Sequence, residues 1–582
     1  MMRLQTFQFP YDIQVPTEMY LRKHQGTCNC SFEKGIINIS KGSEVSFDTY
    51  WNSLSVAIWK NNCTIKELCF SISGTGNVRL KFGLHRFAQS SICLAEFEIS
   101  LQRDGVCLNL PFWTSLHEGL LFCSVEALSD VVLSDTFFFT NDSPCTKVRL
   151  GLVITHFNRQ GFVLAAIARL TKELFNDDLP FDISLVVVDN SQNLTQDQVG
   201  QHVCLIPNEN VGGSGGFTRG LIYLKDNDFT HCLFMDDDAS CEVESILRTF
   251  AFFSFAKTNE KLAISGTLLI EDRPFIIHEM GGWYENAKWT PIASGFNTCD
   301  IQDLICMERL SQKGNYGAWC YFAFSISDIA AFPFPFYVRG DDVLFSLQNK
   351  LKITTLNGIA TYIDDFGIKE NPTTVYLGFR ATQVLEAVIG RLSVKSLLRC
   401  FKNWHSNILF SYNYTSEQAI YLSLIDFLKG PETFVDDIFG LKFRQKIKSI
   451  PNVEILREND DTLEVVRPKA NRRKQKKWPM RLTVNGLLIP TFLMKRKIVY
   501  QAKSFNADLP AIFKYQRVLY CDEKSNKSYL VKHDKGKILE GLWRQIRGCV
   551  AIRLQTSRAI AKYKKEITYL TSEDFWRAVF KL

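Results

Sequence analysis

Cys232-Leu233-Phe234-Met235-Asp236-Asp237-Asp238 decides the fold. Four apolar residues running into three carboxylates describe a buried strand that ends in a polar crevice, because carboxylates buried without partners are costly. Open α/β sheets bind ligands at the carboxyl ends of their strands. Three earlier stretches fit the same sheet: Arg149 to Thr155, Ile183 to Asn190, and His202 to Ile206, which leads to Asn210. Between the first two, Leu164, Ile167, Ala168 and Leu174 share one helical face. Strand–helix alternation of this kind implies a mostly parallel sheet covered by helices. Each strand end hands over polar groups: Thr155, then Asp189 and Asn190, then Asn210, then Asp236 to Asp238.

Working outward, residues 1–145 read as a β-sandwich of short strands punctuated by Gly, Asn and Ser, with hairpin turns expected at Gly76-Asn77 and Asp104-Gly105. The α/β domain occupies 146–395, and 396–582 reads as mainly helical, with amphipathic stretches at Ser416 to Leu428 and Leu539 to Tyr563. A chain of 582 residues is too long for one core. Apolar content of 46% and charged content of 22% exclude a disordered chain, and the net charge of +7 is modest. Seventeen scattered cysteines without zinc-ribbon spacing read as reduced thiols of a cytoplasmic protein. No secretory leader and no spanning helix are expected.

The chemistry follows from these positions. Asn210-Val211-Gly212-Gly213-Ser214-Gly215-Gly216 precedes a helix from Thr218 to Leu224. It reads equally as a phosphate-receiving helix start and as a tight turn. Asp236 and Asp238 alternate onto one side and suit Mg²⁺ or Mn²⁺, which take oxygen ligands and substrate phosphates. One aspartate of the three also suits a cap for the helix from Val243 to Phe252. Arg339-Gly340-Asp341-Asp342, after the aromatic run Phe332 to Tyr337, forms a second acidic site. One of its carboxylates suits a general base and the other a cap for the helix from Val343 to Leu351, with Asp342 favoured as base. Trp283, Tyr316 and Trp319 suit an acceptor platform or, more commonly, core packing. The basic segment Arg467 to Trp478, with the apolar residues to Met494, fits an anionic membrane surface better than nucleic acid, and equally a solvated loop beside a core element. Together these features point to a metal-assisted sugar transfer from a nucleoside-diphosphate donor.

These motifs resemble the polymerising galactofuranosyltransferases that build mycobacterial galactan, inverting enzymes with a Rossmann-like GT-A domain. Thr155-His156-Phe157-Asn158-Arg159, the Asn210 to Gly216 stretch, Phe234 to Asp238, Gly317-Ala318-Trp319, Arg339 to Asp342 and Ile425 to Glu432 carry the resemblance, with Asp48 to Asn52 in the sandwich. It implies a UDP-galactofuranose donor, Mn²⁺ or Mg²⁺, a glycan or lipid-linked glycan acceptor, self-association and work at the cytosolic membrane face. Strand ends and resemblance together give a donor-binding set of Thr155, Phe157, Arg159, Asp189, Asn190, Asn210, Gly212, Gly213, Asp236, Asp237 and Arg339. Ile363 stands where the family has a metal-binding histidine, so Asp364 is the expected third ligand beside Asp236 and Asp238. A second family histidine falls near Gly378, and a family tryptophan is Gly340 here. Another donor, such as UDP-galactopyranose or a dTDP-sugar, and a non-catalytic glycan-binding scaffold are the alternatives.

Overall fold

A computed structural model describes all residues except 11–14, 32–34, 176–180, 239, 365, 461, 468–479, 481 and 505–506. The chain forms two compact units. The first holds residues 1–210, 216–332 and 345–364; the second holds 211–215, 333–344 and 365–582.

In the first unit a sandwich is organised by one long strand, Cys69–His85. Its beginning pairs with Val131–Thr140 and Val106–Asn109, and its remainder with Leu120–Ala127 and Ile92–Leu101. Switching sheets within one strand is a known way of making a sandwich corner. The switch falls at Gly74 and Gly76. A Cβ at Gly74 would lie 2.0 Å from the Val132 carbonyl oxygen, and Gly76 has φ +102°. Gly76-Asn77 is therefore a crossing point inside a strand and not the expected hairpin turn. Asp104-Gly105 does turn the chain, with Gly105 N donating to the Gln102 carbonyl at 3.1 Å.

The α/β sheet of the same unit has the strand order Val203–Pro207, Ile183–Asp189, Leu150–His156, His231–Asp236, Phe322–Ser325, Leu262–Ser265, Lys352–Thr354. The first four are parallel, and Phe322–Ser325 enters antiparallel. The strand order reverses direction at Leu150–His156, and the carboxyl ends on either side of such a reversal are where open sheets bind ligands.

Helix Val243–Phe255 fastens sandwich to sheet, so both lie in one unit although composition changes near residue 145. Arg248 is fully buried. Its guanidinium donates to the carbonyls of Asn357 (2.7 Å), Trp51 (3.2 Å) and Thr6 (3.3 Å) and to Glu244 Oε1 (3.3 Å). Glu244 also accepts from Thr6 N at 2.6 Å.

The second unit has the expected helical character over 396–582 and adds a sheet that the sequence did not announce. Helices Pro372–Val388, Val394–Phe410, Tyr414–Lys429 and Lys535–Leu570 are present. Between them lies a five-stranded sheet ordered Arg457–Glu458, Lys527–Lys532, Tyr515–Asp522, Lys495–Ala502, Val465–Val466. Its strands alternate: Val518 and Tyr520 join one apolar cluster, Leu519 and Cys521 another. That period of two is carried by short runs amid lysines and arginines, which hides it beside the long helical stretches. Among the described residues no helix is long and apolar enough to cross a membrane. All seventeen cysteines are free thiols.

Candidate active site

In the first unit the strand ends meet as their spacing predicts, but the carboxylates divide their work differently. Asp189 is buried, and its two oxygens accept four backbone amides: Ser191 (2.8 Å), Gln192 (2.9 Å), Asn193 (2.8 Å) and Leu194 (2.9 Å). A carboxylate saturated in this way shapes the loop and has little left for a ligand. The expectation that Asp189 binds donor is corrected accordingly. Asp237 is likewise occupied. It accepts from His156 Nδ1 (3.3 Å), the Phe157 amide (3.4 Å) and Arg159 Nη1 (3.0 Å), so it positions that strand end. Burial disfavours the charged His156 ring, yet its hydrogen bonds to the Asp237 carboxylate and the Asn193 amide oxygen leave its pKa raised.

The other polar groups at these strand ends are Thr155, Arg159, Asn190, Asp236 and Asp238. Thr155 Oγ1 is buried with no hydrogen-bond partner among the described residues, an orphan that a ligand hydroxyl or phosphate would satisfy. A Cβ at Gly216 would come within 2.3 Å of Thr155 Cγ2 and 2.9 Å of Asn190 Nδ2, so glycine keeps this corner open. Asn190 Oδ1 accepts from Asn208 Nδ2 at 2.8 Å. Phe157 is 42% exposed at the same strand end. Asp236 Oδ2 accepts the Cys320 thiol at 3.2 Å, a partner that no sequence motif announces.

Asp238 Oδ2 lies 2.6 Å from Arg159 Nη1, so this carboxylate already faces a cation. Asp364 directly follows strand Ala360–Ile363, which pairs with Ser240–Cys241. Ser240 pairs Tyr362 and Cys241 pairs Thr361 in an antiparallel ladder. Among the described residues no three His, Cys, Asp or Glu side chains close into a metal-ligating group. The arrangement thus offers oxygen donors without a preformed three-carboxylate cage. That donor set fits Mg²⁺ or Mn²⁺, which are held by one or two carboxylates plus substrate phosphates. None of the three aspartates caps the following helix, whose N-cap is Glu242.

In the second unit, Gly212 opens helix Gly212–Asp226 with φ +73°. A Cβ there would lie 2.0 Å from the Tyr337 carbonyl oxygen, to which Ser214 N donates at 3.3 Å. Gly212 and Gly213 therefore form the first helical turn, with Gly212 in close approach to the Tyr337 backbone. Ser214 Oγ donates to Asp341 Oδ2 at 2.9 Å.

Asp341 and Asp342 open helix Asp341–Asn349. Asp341 is buried, and burial pushes its carboxyl up to about 6 against the opposing pull of the Ser214 hydrogen bond. Asp342 is half-buried and accepts from the Val343 amide at 2.8 Å. The dry wall expected from the aromatic run exists, with Phe334 and Phe336 buried against Phe434, and Asp341 is the carboxyl that burial shifts. Tyr337 (φ +78°) and Arg339 (φ +72°) hold left-handed backbone, a strained conformation that clusters at functional sites. Arg339 Nη2 lies 3.7 Å from Glu370 Oε1. Trp576 Nε1 donates to the Pro333 carbonyl at 2.7 Å, bracing the segment from the far end of the chain.

Of the three acceptor candidates, only Trp283 presents an open ring, at 43% exposure. Tyr316 and Trp319 are buried. Trp319 packs edge-on against Phe217, Phe234 and Phe345, so the packing role applies to it.

Residues 12–141 match the family model for the galactofuranosyltransferase 2 N-terminal region. The chain is 23% identical over 428 residues to galactofuranosyltransferase GlfT2 of Mycolicibacterium smegmatis, an alignment covering 68% of this chain and 66% of that one. It is 24% identical over 431 residues to GlfT2 of Mycobacterium tuberculosis, covering 68% and 67%. A mannosyltransferase from Pyrobaculum calidifontis, solved with GDP-mannose and Mn²⁺, superposes with TM-score 0.30 and 11% identity over 53% of this chain and 85% of that one. That score is too low to define a shared fold. By sequence the chain is similar to glycosyltransferases. Those relatives are galactofuranosyltransferases, and the chain spans about two thirds of the length of the ones it matches.

Proposed function

We propose that the protein is an inverting GT-A glycosyltransferase that moves galactofuranose from UDP-galactofuranose to a hydroxyl of a glycan or lipid-linked glycan. The observation that carries this reading is the meeting of Thr155, Arg159, Asn190, Asp236 and Asp238 at the carboxyl ends of parallel strands. Thr155, Asn190 and Asn210 bind the nucleotide, and Arg159 balances the diphosphate charge. Asp236, Asp238 and Asp364 would hold Mn²⁺ or Mg²⁺, which when bound offsets charge on the departing diphosphate. Asp342 takes the acceptor hydroxyl proton as that oxygen attacks the anomeric carbon, and Asp341 stands behind it as a positioning group.

Calorimetric titration of UDP checks the donor site. Binding is expected with Mn²⁺ and to weaken by about tenfold or more in Asp238→Ala, the loss of one charged ligand contact. Metal-independent binding, unchanged in the variant, contradicts it. A different nucleotide sugar is the second reading, favoured by Gly378, where a side chain would approach Arg339 and Trp404.

Peripheral membrane contact belongs to the same proposal. Of the expected basic segment, 468–478 lies outside the described residues. Beyond it Leu488, Phe492 and Leu493 are exposed. Helix Lys535–Leu570 adds an exposed apolar stripe of Leu539, Trp543, Ile546, Val550 and Leu554, with Arg547, Arg553, Arg558, Lys564 and Lys565 exposed on the same helix. Such a face suits an anionic interface. Co-sedimentation with phosphatidylglycerol vesicles, lost on neutral vesicles and in Trp543→Glu, is the expected result; equal recovery on both vesicle types contradicts it.

A further inference from the structure

We propose that a polar pocket in the second unit is a subsite for the hydroxyl edge of a sugar residue of the acceptor; the inference rests on the glycosyl-transfer reading above. The pocket is lined by Glu370, Asn413, Glu454, Lys503, Tyr520 and Tyr529, among others. Its cavity volume is about 40 Å³. At about 10–15 Å³ per water-sized group, that admits roughly three hydroxyls and leaves the sugar ring outside.

Donors and acceptors alternate around the wall. Glu454 is held by Ser416, whose amide donates to Oε1 at 2.8 Å and whose hydroxyl donates to Oε2. Lys503 Nζ donates to the Ile368 carbonyl, which fixes the ammonium beside Glu370 and Glu454. Tyr520 and Tyr529 stack at 5.2 Å and are oriented by the Ser411 carbonyl (3.0 Å) and Asn413 Oδ1 (3.2 Å). A sugar hydroxyl both donates and accepts, so it bridges a carboxylate and an ammonium. Two carboxylates against one ammonium disfavour a phosphate, and an apolar ligand would strand the charges. The pocket also communicates with the proposed base segment. Glu370 accepts from Thr374 Oγ1 at 2.5 Å and faces Arg339 at 3.7 Å, two residues before Asp341.

The test is saturation-transfer NMR on the full chain, with a galactofuranosyl disaccharide as probe and no donor present. Lys503→Met and, separately, the near-isosteric Glu454→Gln are compared with wild type, each checked for an unchanged melting temperature. Sugar affinity is expected to fall about tenfold in either folded variant, the loss of one charged hydrogen bond. Signal that is equal in wild type and in a folded variant overturns the subsite, leaving a pocket that holds water only. Absence of sugar signal in a wild type that binds UDP overturns the subsite alone. Absence of both UDP and sugar binding overturns the functional reading and the subsite with it.

Discussion

Asp342→Asn is expected to lower sugar transfer about 10³-fold, within the range of about 10²–10⁴ that general-base catalysis contributes, while UDP affinity stays at the wild-type value. The expectation rests on the contrast inside the pair. Asp341 is buried and engaged by Ser214, whereas Asp342 is half-buried at the opening of the same helix. The pair also sets a pH dependence. Asp341, with its pKa raised to about 6, holds its proton below that pH and releases it above. Once ionised it raises the basicity of its neighbour, so kcat/KM for acceptor should climb as pH rises through about 6. Asp341→Asn should flatten that limb, because no charge then appears beside Asp342. Full transfer activity in Asp342→Asn, measured as UDP release with acceptor, would assign the base to another group.

Arg248→Ala is expected to destabilise the protein by about 3–5 kcal/mol, the cost of leaving a buried partner charge unpaired. Glu244 would lose its cation, and the carbonyls of Thr6, Trp51 and Asn357 would lose a donor. These carbonyls come from the sandwich region and from the turn after strand Lys352–Thr354, so the first unit should loosen where the two join. Thermal unfolding of the variant checks this; a shift no larger than that of an exposed Arg→Ala control would contradict it.

Much of this was legible in the chain. Apolar runs that end in carboxylates and amides located the four parallel strands to within a residue or two, because a buried strand cannot carry polar groups anywhere but at its end. Which carboxylate does what was not legible. Asp189 and Asp237 look like Asp236 and Asp238 in sequence, and only the fold shows that backbone amides, His156 and Arg159 consume the first two. Cys320 against Asp236, and Trp576 against Pro333 across 243 residues, depend on tertiary packing that no local pattern encodes. The strands between 457 and 532 were masked by their lysines and arginines. Asp364 was placed by resemblance alone, and it lies one residue past strand Ala360–Ile363.

The central claim is metal-dependent transfer of galactofuranose, and its most direct test is UDP release by the full chain from UDP-galactofuranose with a galactofuranosyl acceptor. The account predicts release with Mn²⁺ that stops on chelation and exceeds release from UDP-galactopyranose or UDP-glucose. Release that survives chelation, or that is equal for all three donors, would contradict it.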